Sequence, residues 1–311
     1  MFMIFFKELN KLNKCLNKLS GWTKLLILFG MILMYIIFTK SKTQENFKSG
    51  KKFISKNNSN IYDKFYAEIY DDLIYDNGKS QYEVNEIISK TGIENGDVLL
   101  DIGSGTGMHV DIFNKKGLQA EGVDKSSAMI EFSRKKFPKY KFNIGDIENG
   151  ISYPSGKFSH ITVLFFSIYY IKNKKQLFQN CFNWLEPGGS IVLHLVNRSN
   201  FDPVLSVADP LHMISAQKHA KKRITSSYVR FYDMDYKADF KLDKKNNIGF
   251  FIEKIKKDNG EVRYNEHKLY MDTQKKILSM AKESGFILEH KIDLVNVQYE
   301  YQYLYILKKP E

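Results

Sequence analysis

The chain has 311 residues, 43% hydrophobic and 26% charged, ordinary globular proportions that exclude a low-complexity or wholly disordered protein. Its two cysteines, Cys15 and Cys181, lie far apart and outside any Cys-x-x-Cys pair, which argues against a zinc or disulfide framework and fits a reduced compartment. The net charge of +12 would suit a nucleic-acid binder, but residues 1–60 hold eleven lysines against Glu8 and Glu45, so +9 of it belongs to the N-terminal arm.

Over residues 1–20, Phe5, Leu9, Leu12, Leu16 and Leu19 recur at helical spacing while Lys7, Lys11, Lys14 and Lys18 take other faces, the pattern of a basic amphipathic segment on a membrane surface. From Leu25 to Phe38 every residue is apolar or glycine. With its flanks, 21–39 is long enough to cross a bilayer at ~1.5 Å per residue. Trp22 and Tyr35 suit the two interfaces, and Lys24 and Lys40 can snorkel outward. A cleaved signal peptide would want a short basic start and small residues after the apolar core, whereas here Thr39-Lys40-Ser41-Lys42 follows. A transmembrane helix is therefore expected over 21–39, with an interfacial helix as the alternative and membrane lipid as its partner. Lysines on both flanks leave the orientation open. Residues 40–60 are Lys- and Asn-rich and read as a flexible linker to a domain over 61–311.

In that domain strands and helices alternate. Short apolar runs at 97–102, 118–123, 140–144, 161–166 and 190–196 read as strands, separated by helical patterns at 108–116, 126–136 and 174–185. This is an α/β fold with a mostly parallel sheet. Partial alternation over 228–242, 248–257 and 261–270, broken by turn signals, predicts a small antiparallel insertion at about 228–270. A last helix over 273–284 and two strands at 286–293 and 301–307 complete the chain.

The segment Asp101-Ile102-Gly103-Ser104-Gly105-Thr106-Gly107 lies between the first strand and the first helix of this domain, where glycines let the backbone approach a ligand closely. Met108 stands where a dinucleotide fingerprint starting at Gly103 needs glycine, and no Gly-Lys-Ser/Thr follows, which excludes a triphosphate loop. Asp101 would repel a pyrophosphate. It would not repel a ligand carrying an ammonium and a sulfonium, such as S-adenosylmethionine. Asp124, ending the second strand 17 residues beyond Gly107, can accept both ribose hydroxyls. Asp146, after the third strand, can bond an adenine amino group beside the apolar Ile147.

In these residues, together with Leu185-Glu186-Pro187-Gly188-Gly189 before the fifth strand, the chain resembles the class I S-adenosylmethionine-dependent methyltransferases over roughly 62–309. The resemblance implies a Rossmann-like seven-stranded sheet with an antiparallel last strand. It places Asp101, Gly103, Ser104, Gly105, Thr106, Gly107, Asp124, Lys125, Met129, Asp146, Ile147, Leu164 and Phe165 at the cofactor, with Ser126 beside the adenosine and Tyr66 and Tyr70 closing over it. Together with the helix expected over 21–39 this makes a membrane-tethered enzyme, and because the cofactor is kept in the cytosol the catalytic domain is expected to face it. The acidic residue that often opens the fourth strand of such proteins is absent from Phe158-Ser159-His160-Ile161.

For the acceptor, Tyr169 after the fourth strand is the candidate catalytic contact, with His160, His194 and His212 weaker ones. The chain lacks the Pro-Pro-aromatic motif of amino-methylating nucleic-acid enzymes, and Asn180 precedes Cys181 where a cytosine methylase has proline. A small-molecule or lipid-like acceptor is expected, and nucleic acid and metal are not. A protein or nucleic-acid methyltransferase, or a silent cofactor-binding scaffold, remain the alternatives.

Overall fold

The computed structural model describes residues 20–46, 52–74, 76–148, 150–203 and 223–311. The basic segment expected over 1–20 falls outside these residues except for Ser20, and His212 lies outside them too.

The first described element is a helix, α1 (Gly21–Asn46), whose apolar side chains from Leu25 to Met34 are exposed. Among the described residues no helix is long and apolar enough to cross a membrane, so the span expected over 21–39 is not supported. The flexible linker expected over 40–60 needs a second correction. Helix α1 runs to Asn46, and Lys52–Asn57 is a strand, β1, which pairs in parallel with a strand more than 200 residues later, Lys52 opposite Glu261 and Asn57 opposite Glu266. Backbone pairing with a distant edge decides this element, not any local apolar pattern.

Two helices follow, α2 (Lys64–Ile74) and α3 (Asn77–Thr91). Asp76 caps α3 by accepting from the Lys79 N–H at 3.0 Å, and Gly92 ends it in the left-handed region. The alternating unit then runs β2 (Val98–Ile102), α4 (Met108–Lys115), β3 (Gln119–Asp124), α5 (Ser127–Lys136), β4 (Lys141–Ile144), β5 (Phe158–Val163), α6 (Ser167–Tyr170), α7 (Lys174–Trp184) and β6 (Leu185–Val196). The four strands β7 (Ser226–Arg230), β8 (Met234–Asp243), β9 (Ile248–Lys257) and β10 (Glu261–Tyr270) form an antiparallel meander. Helix α8 (Gln274–Glu283) and strands β11 (Ile287–Asp293) and β12 (Gln302–Lys308) close the described chain.

The main sheet has seven strands in the order β11-β12-β6-β5-β2-β3-β4. β12 is antiparallel to both its neighbours, while β6, β5, β2, β3 and β4 are mutually parallel. Both faces are covered, so the central strands β2 and β5 are buried almost throughout, and successive β2 residues serve opposite layers. Leu100 and Ile102 join the core that holds Phe178, Trp184 and Ile277, whereas Leu99 joins the core that holds Val84, Ile87 and Phe113. The second sheet, β1-β10-β9-β8-β7, carries a third core with α2 and Met129 of α5. This sheet and the tyrosine-rich segment before β2 lie over the carboxyl ends of β2 and β3, the side on which ligands enter open α/β sheets.

Candidate active site

A cavity of about 530 Å³ opens at the carboxyl ends of β2, β3 and β5 and is roofed by the second sheet. Its floor is the turn from β2 into α4. Gly103, Gly105 and Gly107 all have positive φ, and two of them are also required sterically. A Cβ on Gly103 would lie 2.5 Å from Ser167 Oγ, and one on Gly107 would lie 2.7 Å from the Phe142 ring. Gly105 donates its N–H to Asp124 Oδ2 at 3.0 Å, and Ser126 donates its N–H to Asp124 Oδ1 at 2.8 Å. Burial raises the Asp124 carboxyl above its usual range against the opposing effect of these bonds. Asp124 is thus held rigidly at the cavity edge by both loops it joins.

The Ser126 hydroxyl accepts from the Met129 N–H at 3.1 Å, capping α5, and donates to the Tyr62 carbonyl at 2.6 Å, which ties the loop after β3 to the roof. Lys125 Nζ meets Asp146 Oδ2 at 2.6 Å, and Asp146 Oδ1 accepts from the Glu148 N–H at 3.0 Å. Thr106 donates to Asp71 at 2.5 Å, fastening α2 to the glycine turn.

Of the residues expected at the cofactor, Gly103, Gly105, Asp124, Lys125, Met129, Asp146, Ile147 and Phe165 line the cavity, as do Ser126, Tyr66 and Tyr70. Asp101, Ser104, Thr106, Gly107 and Leu164 support it from behind. Asp101 is buried and accepts from the Thr162 hydroxyl at 2.7 Å; burial pushes its carboxyl up to about 6. Phe165 adopts a left-handed backbone (φ 50), an uncommon conformation for a bulky residue that concentrates at binding sites, and its carbonyl accepts from His194 Nδ1.

The acceptor candidates need correction. Tyr169 lies in the core with its hydroxyl accepting from the Val196 N–H at 2.8 Å, so it does not reach the cavity. In the single turn of α6 adjacent residues diverge by roughly 100°, and it is Tyr170 that faces the cavity. Burial, joined for His194 by the nearby Lys79 charge, holds the His160 and His194 imidazoles down to about 4, and neither lines the cavity.

A family profile described as "Methyltransferase domain" matches residues 77–289, more than half of the chain. The chain belongs to the S-adenosylmethionine-dependent methyltransferases. Its sequence is 29% identical over 142 residues to dTDP-4-amino-2,3,4,6-tetradeoxy-D-glucose N,N-dimethyltransferase of Saccharopolyspora spinosa, covering 43% of this chain and 56% of that protein. It is 28% identical over 162 residues to phosphoethanolamine N-methyltransferase of Plasmodium falciparum, covering 48% and 58%. The chain therefore spans little more than half the length of these curated relatives. The fold is shared with an S-adenosylmethionine-dependent methyltransferase from Clostridium acetobutylicum, at a TM-score of 0.61, 18% identity and coverage of 79% of this chain and 98% of that one.

The methyltransferase's own residues fit the family's methyl donor. At Gly105 a Cβ would meet nothing nearer than the Tyr70 ring at 3.7 Å, so the turn stays open toward the cavity, and Asp124 offers a fixed acceptor beside it. Among the described residues no group of three or more His, Cys, Asp or Glu side chains can hold a metal ion.

The opposite wall of the cavity joins Tyr66 and Tyr70, expected there from sequence, to Tyr62, Tyr170 and His267, to which sequence reasoning gave no role. Tyr62, Tyr66, Tyr70, Tyr170 and His267 meet there in mutual ring contact, Tyr62 and Tyr170 at 5.9 Å and Tyr62 and His267 at 5.8 Å between centroids. Arg263 positions this wall by gripping both oxygens of Asp63 at 2.9 Å and the Ile61 carbonyl at 2.6 Å. One signal was available: Arg263, Asn265 and His267 alternate along β10 where apolar residues would normally face inward.

Proposed function

We propose that the protein transfers a methyl group from S-adenosylmethionine to a small-molecule acceptor, with an amine nitrogen as the receiving atom. The observation that carries this reading is the shape of the cavity, which joins the glycine turn and Asp124 at one end to the tyrosine and His267 wall at the other. Its volume suits a cofactor and a compact acceptor more than a polymer strand. The amine reading leans on the printed activities of the two curated relatives, both of which are N-methyltransferases.

S-adenosylmethionine, when bound, supplies a methyl carbon already activated by a positively charged sulfur. What remains for the chain is orientation and exclusion of water. Asp124, fixed by the Gly105 and Ser126 N–H groups, orients a ribose; Asp146 and Ile147 flank the base position; the roof of Tyr62, Tyr66 and Tyr70 closes the site. Incubating the purified protein with radiolabelled cofactor and fractionated small-molecule, lipid, protein and RNA extracts tests the reading. Label entering the small-molecule fraction is expected, and label confined to RNA or protein would refute it.

We also propose that α1 holds the domain against a bilayer, with the catalytic domain on the cytosolic side. The support is the exposed apolar row from Leu25 to Met34 and the lysines flanking it in sequence. Release of the full chain by sodium carbonate alone, or protection of the C-terminal domain from protease in sealed vesicles, would count against one or both halves of that proposal.

A further inference from the structure

The wall facing the glycine turn contains a hydrogen-bond chain that holding the cofactor does not require. Glu253 on β9 is fully buried, and four donors converge on it. Its Oε1 accepts from Tyr66 at 2.8 Å and Tyr236 at 2.6 Å; its Oε2 meets Asn265 Nδ2 at 2.9 Å and His267 Nε2 at 2.8 Å. Burial works to raise this carboxyl, but His267 and the hydrogen bonds outweigh it and hold the group below its ordinary range.

An ionised carboxylate only accepts, so His267 must carry its proton on Nε2, and the lone pair of the neutral ring is on Nδ1. That atom lies 2.8 Å from the Tyr170 hydroxyl. With the ring neutral, Tyr170 donates to His267, and His267 donates to Glu253. The Tyr170 oxygen has the Tyr62 hydroxyl as one donor and keeps a second lone pair for a ligand, and both Tyr170 and His267 line the cavity. The groups packed around the imidazole are Glu253 of β9, Tyr170 of α6, Tyr62 and Tyr66 from the N-terminal roof, and the Phe251 ring. Glu253 is the one carboxylate among them.

We infer that Tyr170, His267 and Glu253 form a proton-accepting relay for an alkylammonium acceptor held against the tyrosine faces. The inference rests on the methyltransferase reading above and assigns residues to it. An ammonium has no lone pair for attack until it loses a proton, and a cation is attracted to aromatic faces and a nearby buried carboxylate. The ammonium N–H passes its proton to the Tyr170 oxygen as the Tyr170 proton moves to His267 Nδ1, leaving a neutral amine and an imidazolium paired with Glu253. The amine lone pair then forms the N–C bond while the C–S bond breaks and its electron pair stays on sulfur, giving a neutral thioether. The proton leaves from His267 to solvent after the product departs.

The experiment has two readouts on the full chain, with His267→Asn and Tyr170→Phe as variants. Nitrogen-15 spectra of histidine-labelled protein identify the His267 signals by their loss in His267→Asn. The neutral ring is expected as the Nε2–H form, with an Nδ1 resonance that shifts in Tyr170→Phe. An Nδ1–H form would overturn the relay. Methyl transfer to phosphoethanolamine and to dTDP-4-amino-2,3,4,6-tetradeoxy-D-glucose is then followed from pH 6.5 to 9. For variants that still bind cofactor as the wild type does, kcat/KM at neutral pH is expected to fall by about 10²–10⁴-fold. It should then climb by about tenfold per pH unit as solution supplies free amine, a steeper rise than that of the wild type. Amine methylation with unchanged rates and pH profiles in both variants would overturn the relay alone. Cofactor binding without transfer to either amine would overturn the amine reading together with the relay.

Discussion

Asp101 offers a prediction in which stability and function pull apart. Its carboxyl is buried at the end of β2, and its ordinary value of 3.8 rises to about 6 because burial disfavours the charge more than the Thr162 bond restores it. A carboxyl raised in the folded state destabilises the fold once it is ionised. Below about pH 4 it is protonated in folded and unfolded chains alike and costs nothing; between about 4 and 6 the folded chain keeps a proton that the unfolded chain has released, so stability falls as pH rises through that window. The full loss is about 3 kcal/mol, roughly two pKa units at ~1.4 kcal/mol each. Asp101→Asn keeps an oxygen for Thr162 and removes the charge, while its amide N–H₂ needs partners at a cost of about 1 kcal/mol or more. The variant should gain about 1–2 kcal/mol at pH 8 relative to the wild type and gain nothing at pH 4. It should also bind the cationic cofactor about tenfold more weakly, having lost a nearby negative charge. Urea unfolding of both proteins from pH 4 to 8, followed by titration calorimetry with S-adenosylmethionine at pH 7.5, measures each effect. A stability difference that does not change with pH would refute the reasoning.

Gly107→Ala should destabilise the domain by about 2–5 kcal/mol, summing left-handed strain and the clash with Phe142, and a urea midpoint within error of the wild type would contradict the turn geometry. Tyr169→Phe leaves the Val196 N–H without its partner and should cost about 1–3 kcal/mol in thermal or urea unfolding, with methyl transfer unchanged; a large loss of kcat in a folded variant would restore Tyr169 to the site. Glu253→Gln places an amide N–H₂ where only donors converge and should cost about 2–4 kcal/mol, read as a lowered urea midpoint; a neutral effect would show that the four bonds to Glu253 are not formed.

Much of the glycine-turn end of the cavity was legible because its signals are local. Asp101 to Gly107 and Asp124 sit where a strand becomes a turn, and the backbone demands at Gly103 and Gly107 can be read from composition alone. The acceptor end depends on contacts between distant segments. Strand β1 exists because it pairs with β10, and nothing in Lys52–Asn57 announces that partner. Tyr169 and Tyr170 are adjacent in a four-residue helix, so an error of one position in helical phase exchanges core for cavity. Glu253 and Asn265 are opposite each other across β9 and β10, and polar residues alternating on a half-buried strand read as a solvent face until the third layer is known. The apolar row of α1 was equally plain in sequence, because it is a continuous run from Leu25 to Phe38.

The account depends most on the glycine turn and Asp124 forming a phosphate-free nucleoside pocket for a sulfonium. Titration calorimetry of the purified chain with S-adenosylmethionine, and separately with NAD, tests this directly. One-to-one binding of the first, abolished in Asp124→Ala with the fold intact and absent for the second, is the expected result. Binding of NAD with indifference to S-adenosylmethionine would contradict it.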